Sequence, residues 1–536
     1  MRRDSDSESK DSESGESDSN FEELLEGSLS RCFQLEPMDG STGYQVYSVR
    51  WLVLSSFSVS NAFNAFLWIT FASIFDQCSA LWGLPSSYIN GLSLVFLLLF
   101  LPGTVLTSFC VERYGVRAAL VVGTALNCIG AWVRWTGALA SSTRPLGFAL
   151  VMLGQCLAGF GQPLFTNLPA RISADWFPAS QRDIATTVAS LSNALGVAAG
   201  SVVPTLAVST AGDIAPFLLV QAAVSTVFLA ITIFGVRSDR PPTPPSASAA
   251  LRLDKATGGG GFYAGIPLLH AEGSAAGARG ALASSAGESP GEGGGQQQEE
   301  GGGDRSLPTL STTLRAMASS YWGLLVQPNY LRLCIGFGIG LGLFNALLTL
   351  LSQLIAPCGY SNDFGGEAGG VLLGAGLLSA AVVGVVLEKT RAYISILRGG
   401  ILAATCATLF FLGSLRRSGD AQLMAACAVL GAVLIPMLPI SLENAAECTY
   451  PVAEEVSSGL MLIIGNYIGL VLIVAMQAMI PAPSGGTCTT VFTPFAGVFF
   501  GVIVIALISV LLFQKDYRRQ KAEAAGRSGE GALEEI

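Results

Sequence analysis

Four asparagines and one tryptophan stand where a membrane-spanning chain would keep its chemistry: Asn64, Asn193, Asn345 and Asn466, with Trp68 one helical turn beyond Asn64. Each lies inside a long apolar run. There a carboxamide brings a donor and an acceptor that lipid cannot satisfy, so it either bonds a neighbouring helix or faces a polar cavity that receives a solute. The Trp68 ring can offer its face to an organic cation, an interaction worth ~2 kcal/mol when desolvated, or can simply pack.

Glu443 and Glu447 form a second constellation. Four residues apart, they share one helix face, where like charges repel unless one is protonated or paired. Arg171 and Arg182 are the candidate partners, which makes the group a salt-bridged gate or, alternatively, a proton-coupling carboxylate site. The single histidine, His270, lies in a polar insert, so no imidazole is available inside the apolar runs for haem ligation or a proton relay. No phosphate-binding glycine loop, nucleophile–base pair or metal-spaced Cys/His pair occurs, which argues against an enzyme, an ATP-driven pump and any metal or cofactor.

The elements that position these residues follow from composition. Hydrophobic residues make up 51% of the 536 and charged ones 12%, about half the charge of an ordinary soluble domain. Twelve stretches are long and apolar enough to cross a bilayer as helices: 51–75, 87–111, 117–138, 146–170, 182–208, 214–236, 331–355, 367–388, 393–413, 421–446, 455–479 and 492–513. Six lie on each side of residues 241–310, a Pro-, Gly-, Ser- and Gln-rich stretch with GGGG at 258–261, which cannot bury a core. The expected organisation is an all-α membrane protein of two six-helix bundles. It comprises an acidic tail 1–49, a first bundle 50–237, a largely disordered linker 238–325, a second bundle 326–514 and a C-terminal tail 515–536.

Arginine and lysine fall mainly on one side of this layout, including Arg50, Arg113, Arg117, Arg171, Arg182, Arg237, Lys389 and Arg398, against Arg144, Arg416 and Arg417 on the other. The positive-inside rule then puts both termini in the cytoplasm. The acidic, serine-rich start has no basic region leading into a short apolar run, so a signal anchor in the first span is expected rather than a cleaved leader. Its DSDSES and DSESGESDS runs suit acidic-directed kinases as partners, or are a solvated tail; the net charge of −9 excludes nothing else and gives no sign of nucleic-acid binding. Of the 11 cysteines only Cys78, Cys358 and Cys488 fall in outward-facing loops. A Cys358–Cys488 bridge and unpaired thiols are both open.

The halves repeat. Phe63-Asn64-Ala65 matches Phe344-Asn345-Ala346, Glu112-Arg113 matches Glu388-Lys389, and Asn193 and Gly196 coincide with Asn466 and Gly469. Repeats of this kind place a substrate site at their interface near the midplane. The segment Glu112 to Arg117 resembles a worn form of the major-facilitator loop motif, with Glu for Asp and Ser108 where Gly is usual. That resemblance implies gate latches at Glu112, Arg113 and Glu388, set against a loop that merely fixes topology.

The run Glu447-Cys448-Thr449-Tyr450-Pro451, with LNCIGAW from Leu126, MLGQCL from Met152, LPARISADWF from Leu168 and LLSQLI from Leu350, closely resembles the feline leukaemia virus subgroup C receptor-related transporters. The resemblance covers essentially the whole membrane region. It implies a major-facilitator fold in a family associated with choline and ethanolamine, with haem, and in one branch with pyridoxine. Trp68, Gln162 and Gln353 match family positions; Leu67, Asn345, Ala194 and Asn466 replace a Gln, an aromatic and two further glutamines. Tyr467 and Tyr360 are candidates to restore aromatic character. The expectation is a plasma-membrane or organelle transporter of a small organic solute, choline- or ethanolamine-like first, haem or proton-coupled pyridoxine second, with a transporter-fold receptor as the rival class.

Overall fold

The computed structural model describes residues 46–140, 144–178, 181–243, 245, 309–390, 392–416, 419–450, 452, 454–480 and 494–518, without the side chains of Asp183, Glu388, Lys389, Glu454 and Glu455. The acidic tail, most of the linker and Cys488 therefore lie outside the described residues.

Among the described residues eleven helices are long and apolar enough to cross a membrane. One of them, Ser86–Leu139, runs for 54 residues, about 80 Å at 1.5 Å per residue and far beyond one bilayer. It breaks at Gly115, whose φ of 86° and ψ of 176° leave the helix. The Asp239 carboxylate fills the place a Cβ would take there, so glycine is required both for the turn and for the close approach. Counted as 86–114 and 116–139, the helix supplies spans 2 and 3, and the described residues hold twelve spans. Span 1 is Val49–Ser73, span 4 Arg144–Thr166, span 5 Arg182–Ala207 and span 6 Ile214–Gly235. Spans 7 to 12 are Pro328–Ile355, Asn362–Thr390, Tyr393–Ser414, Asp420–Thr449, Glu454–Gln477 and Pro494–Leu511. The twelve expected stretches and these spans agree to within a few residues at nearly every end.

Two ends differ. The fourth stretch is expected to run to 170, but it ends at Thr166, and a separate helix that opens on a second proline, Pro169–Trp176, follows. Proline removes the N–H that the preceding turn would need. The end of the linker region is also not irregular: Leu310–Leu325 is a helix, here called the linker helix.

The twofold repeat shows in the packing. Span 1 packs on span 5 as span 7 packs on span 11, span 3 on span 6 as span 9 on span 12, and the halves touch chiefly through spans 5 and 8 and spans 2 and 11. The matched glycines explain the first pair: a Cβ on Gly196 would strike the Ala62 carbonyl, and one on Gly469 would meet Gly342 and Asn345. Small residues let helix backbones approach closely where lipid gives no hydrophobic drive to associate.

Alternation puts the linker on one face of the molecule, here the linker face, with the span 1–2 and span 7–8 connections on the opposite, far face. Phe75–Trp82 is a short helix on the far face, closed by the left-handed Gly83.

Candidate substrate-translocation site

Asn64 sits about 22 Å up span 1 and Asn345 about 25 Å up span 7, at 1.5 Å per residue. The repeat thus gives them matching depths near the middle of the membrane. Their side chains do not behave alike. Asn345 Nδ2 donates to Asn466 Oδ1 at 3.3 Å, and Asn466 Nδ2 donates to the Leu462 carbonyl at 2.9 Å. In the first half the bond between spans 1 and 5 is made one turn lower, from Asn193 Nδ2 to Asn61 Oδ1 at 3.1 Å, while Asn61 itself donates to Ala189 O and Ser192 Oγ. Asn64 instead reaches across to spans 3 and 4, donating to Asn127 Oδ1 at 2.7 Å and to the Ala158 carbonyl at 2.9 Å.

Trp68 is buried, and its Nε1 donates to the Ser93 carbonyl of span 2 at 3.2 Å. One residue earlier, the Leu92 carbonyl accepts from Gln155 Nε2 of span 4 at 3.0 Å. Ala158, the acceptor for Asn64, lies one turn beyond Gln155 on the same helix. Trp68, Gln155 and Asn64 are thereby tied into one network joining spans 1, 2 and 4. Two of its oxygens, Asn64 Oδ1 and Gln155 Oε1, are buried acceptors with no donor, and so is Gln162 Oε1, two turns beyond Gln155 along span 4. A buried unsatisfied acceptor costs ~1–3 kcal/mol, so the Asn64 and Gln155 oxygens are groups that a donor-bearing guest would relieve.

Gln353 is held elsewhere. Near the far face it exchanges two bonds with Asn90 of span 2, Asn90 Nδ2 to Gln353 Oε1 at 3.1 Å and Gln353 Nε2 to Asn90 Oδ1 at 2.6 Å. This reciprocal amide pair links the two halves. Beside it, Asn362 Nδ2 donates to Asp76 Oδ2 at 2.9 Å, and Gly366 of span 8 lies against Thr205 and Ser201 of span 5. Deeper in, Tyr467 Oη of span 11 donates to the Leu98 carbonyl of span 2 at 3.0 Å. The far side is thus closed by direct contact of the spans. At the linker face the linker helix meets the first half, where Thr313 Oγ1 donates to Glu112 Oε2 at 2.9 Å.

The expected gate residues therefore have these positions. Glu112 meets a hydroxyl of the linker helix, and its Oε1 is buried without a hydrogen-bond partner. Arg113 stacks on Tyr114, 5.6 Å from the ring centre. The loop is pinned to the end of span 6, because the Arg117 N–H donates to Asp239 Oδ1 at 2.7 Å and Arg117 Nε donates to the Val236 carbonyl at 2.6 Å. Arg171 pairs with Asp175 one turn along its own short helix, at 2.9 Å, a partner the sequence reading did not weigh. Glu447 is fully buried at the linker-face end of span 10, with Glu443 half-buried one turn before it, and Arg182 is half-buried at the start of span 5. The side chain of Glu388 lies outside the described residues. Cys358 is disulfide-bonded, the bridged one of the two alternatives left open, and Cys488, the partner weighed for it, lies outside them too. A cavity of about 260 Å³ at the linker face is lined by Val111, Gly115, Val116, Arg171, Asp239 and Arg240. It belongs to the loop latch and is far from the midplane amides.

Sequence reasoning missed Gln155, Asn90, Asn61 and Asn127, although each is a polar residue in an apolar run. It also passed over Arg134, fully buried in span 3, which donates to Gln221 Oε1 at 3.0 Å and lies 4.6 Å from the Phe71 ring centre. Among the described residues no group of three or more His, Cys, Asp or Glu could hold a metal.

With this geometry in view, the profile of the Major Facilitator Superfamily matches residues 53–474. The chain belongs to the major facilitator superfamily. It is 27% identical over 90% of its length to Solute carrier family 49 member A3 of Xenopus tropicalis, covering 90% of that protein. It is 26% identical over 88% of its length to Choline/ethanolamine transporter FLVCR2 of Rattus norvegicus, covering 76% of it. The crystal structure of a D-xylose–proton symporter superposes with a TM-score of 0.57 at 11% identity, over 87% of this chain and 97% of that one. Together these make the chain a multi-pass membrane transporter of the major facilitator superfamily, similar to the named solute carrier 49 relative, and the symporter supports the fold alone.

Proposed function

We propose that this transporter carries a choline- or ethanolamine-like organic cation across the plasma membrane by facilitated diffusion. The observation that carries the reading is a pair of buried oxygens without donors in the network that holds Trp68, Asn64 Oδ1 and Gln155 Oε1, with Gln162 Oε1 a third further along span 4. A small ammonium or hydroxyl-bearing cation supplies donors to such oxygens, and its charge is favoured by the face of an indole. The named relative from Rattus norvegicus adds support, since its name gives choline and ethanolamine as its substrates.

Asn193, Asn345, Asn466 and Gln353 complete the proposed path, with the amide pairs as parts that re-form as the bundles rock around the site. In this cycle a state closed on the far side is the one that opens to release solute towards the linker face. The arginine distribution supports a cytoplasmic placement of that face. Glu112, Arg113, Arg171, Arg182, Glu388, Glu443 and Glu447 act as the gate on that side. No titrating side chain belongs to the network of Trp68, Ser93, Gln155, Asn64 and Asn127, which favours a uniport over proton coupling.

Uptake of radiolabelled choline, ethanolamine, pyridoxine and haem into cells expressing the protein tests this. Saturable choline or ethanolamine uptake that is unchanged between external pH 6 and 8 is expected. Uptake confined to pyridoxine and rising in acid, or to haem, would replace the reading.

A further inference from the structure

The linker helix has three surfaces. Its start is fixed by Thr309, whose Oγ1 accepts from the Thr312 N–H while the Thr309 N–H donates to Thr312 Oγ1 at 2.9 Å. Thr313, Met317 and Leu324 are buried against the protein, where the helix packs on spans 2, 7 and 11. The outward side divides into two tracks, each stepping four residues at a time. Leu310, Leu314, Ala318 and Trp322 form one, all exposed, with Trp322 71% exposed. Ser311, Arg315 and Ser319 form the other, also exposed, and lie about 100° further round the helix.

Apolar and polar tracks side by side, with the third face already occupied by protein, are the pattern of a helix lying in a membrane interface. Chain continuity fixes the depth. After Leu325 only Val326 and Gln327 intervene before span 7 begins at Pro328, so the end of the linker helix lies at the level where that span enters the bilayer. The exposed apolar surface also runs on: Val326 is exposed, and so are Leu331 and Ile335 on the first turns of span 7. That strip is continuous with the lipid-facing side of the bundle.

We infer that the bilayer itself is the partner of this face: Leu310, Leu314, Ala318 and Trp322 dip into the headgroup–acyl boundary while Ser311, Arg315 and Ser319 face headgroups and water. Trp322 sits at the depth where tryptophan prefers to lie, and Arg315 meets lipid phosphate. Through Thr313 the same helix holds Glu112 of the span 2–3 loop. It is therefore a strap between the membrane surface and that loop. This inference stands independently of the substrate.

The test places a photoreactive phenylalanine analogue at Leu314, Trp322 or Ser319 of the full-length protein in nanodiscs. After illumination, mass spectrometry reads lipid-mass adducts on the 310–325 segment. Adduct yields at 314 and 322 several-fold above that at 319 are expected. Equal yields at the three positions, or no lipid adduct at any of them, would overturn the inference. So would cross-links from 314 and 322 into this chain or a second copy, because a protein surface would then cover the face. Each substitution lies on the exposed side, so folding is preserved and is checked by the elution profile.

Discussion

Replacing Gln353 by leucine removes both bonds of the Asn90–Gln353 pair and leaves the Asn90 amide buried between the halves. The two bonds, at 3.1 and 2.6 Å, are between neutral groups. Polar pairs inside membrane proteins are worth about 0.6 kcal/mol each on average, up to about 1.7. Together they hold the far side closed by ~1–2 kcal/mol, a factor of about 5–30 in the ratio of closed to open. The orphaned Asn90 amide penalises the closed state further, so Gln353→Leu shifts the balance more than the pair itself is worth. Combining it with Asn90→Leu removes the orphan and recovers part of the loss. Spin labels at the exposed far-face positions Tyr88 and Asp420 report the two populations as a distance distribution. The expected order of open fraction is Gln353→Leu, then the double variant, then wild type, with a coupling energy of roughly 1–2 kcal/mol from the double-mutant cycle. A Gln353→Leu distribution indistinguishable from wild type would refute the claim that this pair closes the far side.

Three further outcomes follow from single contacts. Gly196→Ala drives a methyl into the Ala62 carbonyl and should destabilise by ~1–3 kcal/mol, whereas Gly497→Ala, which meets nothing within 4 Å, should leave the melting midpoint unchanged or higher. Asn466→Leu strands the Asn345 side chain, and the double change with Asn345→Leu should regain part of the lost melting midpoint, as bonded partners do when removed together. Thr313→Val removes the hydroxyl from Glu112, a bond to a charged group worth ~1.5–3 kcal/mol, so amide exchange across Leu310–Leu325 should quicken by roughly tenfold or more, with exchange in span 9 unaffected.

The spans were legible in the sequence because lipid leaves the backbone no alternative to helix over a long apolar run. Even the merged Ser86–Leu139 helix was read as two spans, since the ERYGVR segment marks the turn that Gly115 makes. The repeat placed Asn64 and Asn345 at matching depths, and Asn345 bonds Asn466 between spans 7 and 11, the interhelical alternative to a cavity-facing amide. Direction round the helix was not legible. Asn64 matches Asn345 in register yet turns to Asn127 and Ala158, because the residue that answers Asn193 in the first half is Asn61. Contacts between the halves were hidden for a different reason: the pairing of Asn90 with Gln353 joins residues 263 apart that no local pattern relates. The linker helix escaped because its neighbours are glycine-rich and its 16 residues are too few and too polar to read as a span.

The central claim is that the network around Trp68 binds and passes a small organic cation. Counterflow in proteoliposomes tests it most directly, using purified wild type and Trp68→Ala, with vesicles loaded with unlabelled choline or ethanolamine and labelled solute outside. The account predicts a transient accumulation of label by the wild type that is independent of a pH gradient and is lost in Trp68→Ala at an unchanged amount of folded protein. No counterflow by folded wild type with either solute, or equal counterflow by the variant, would contradict it.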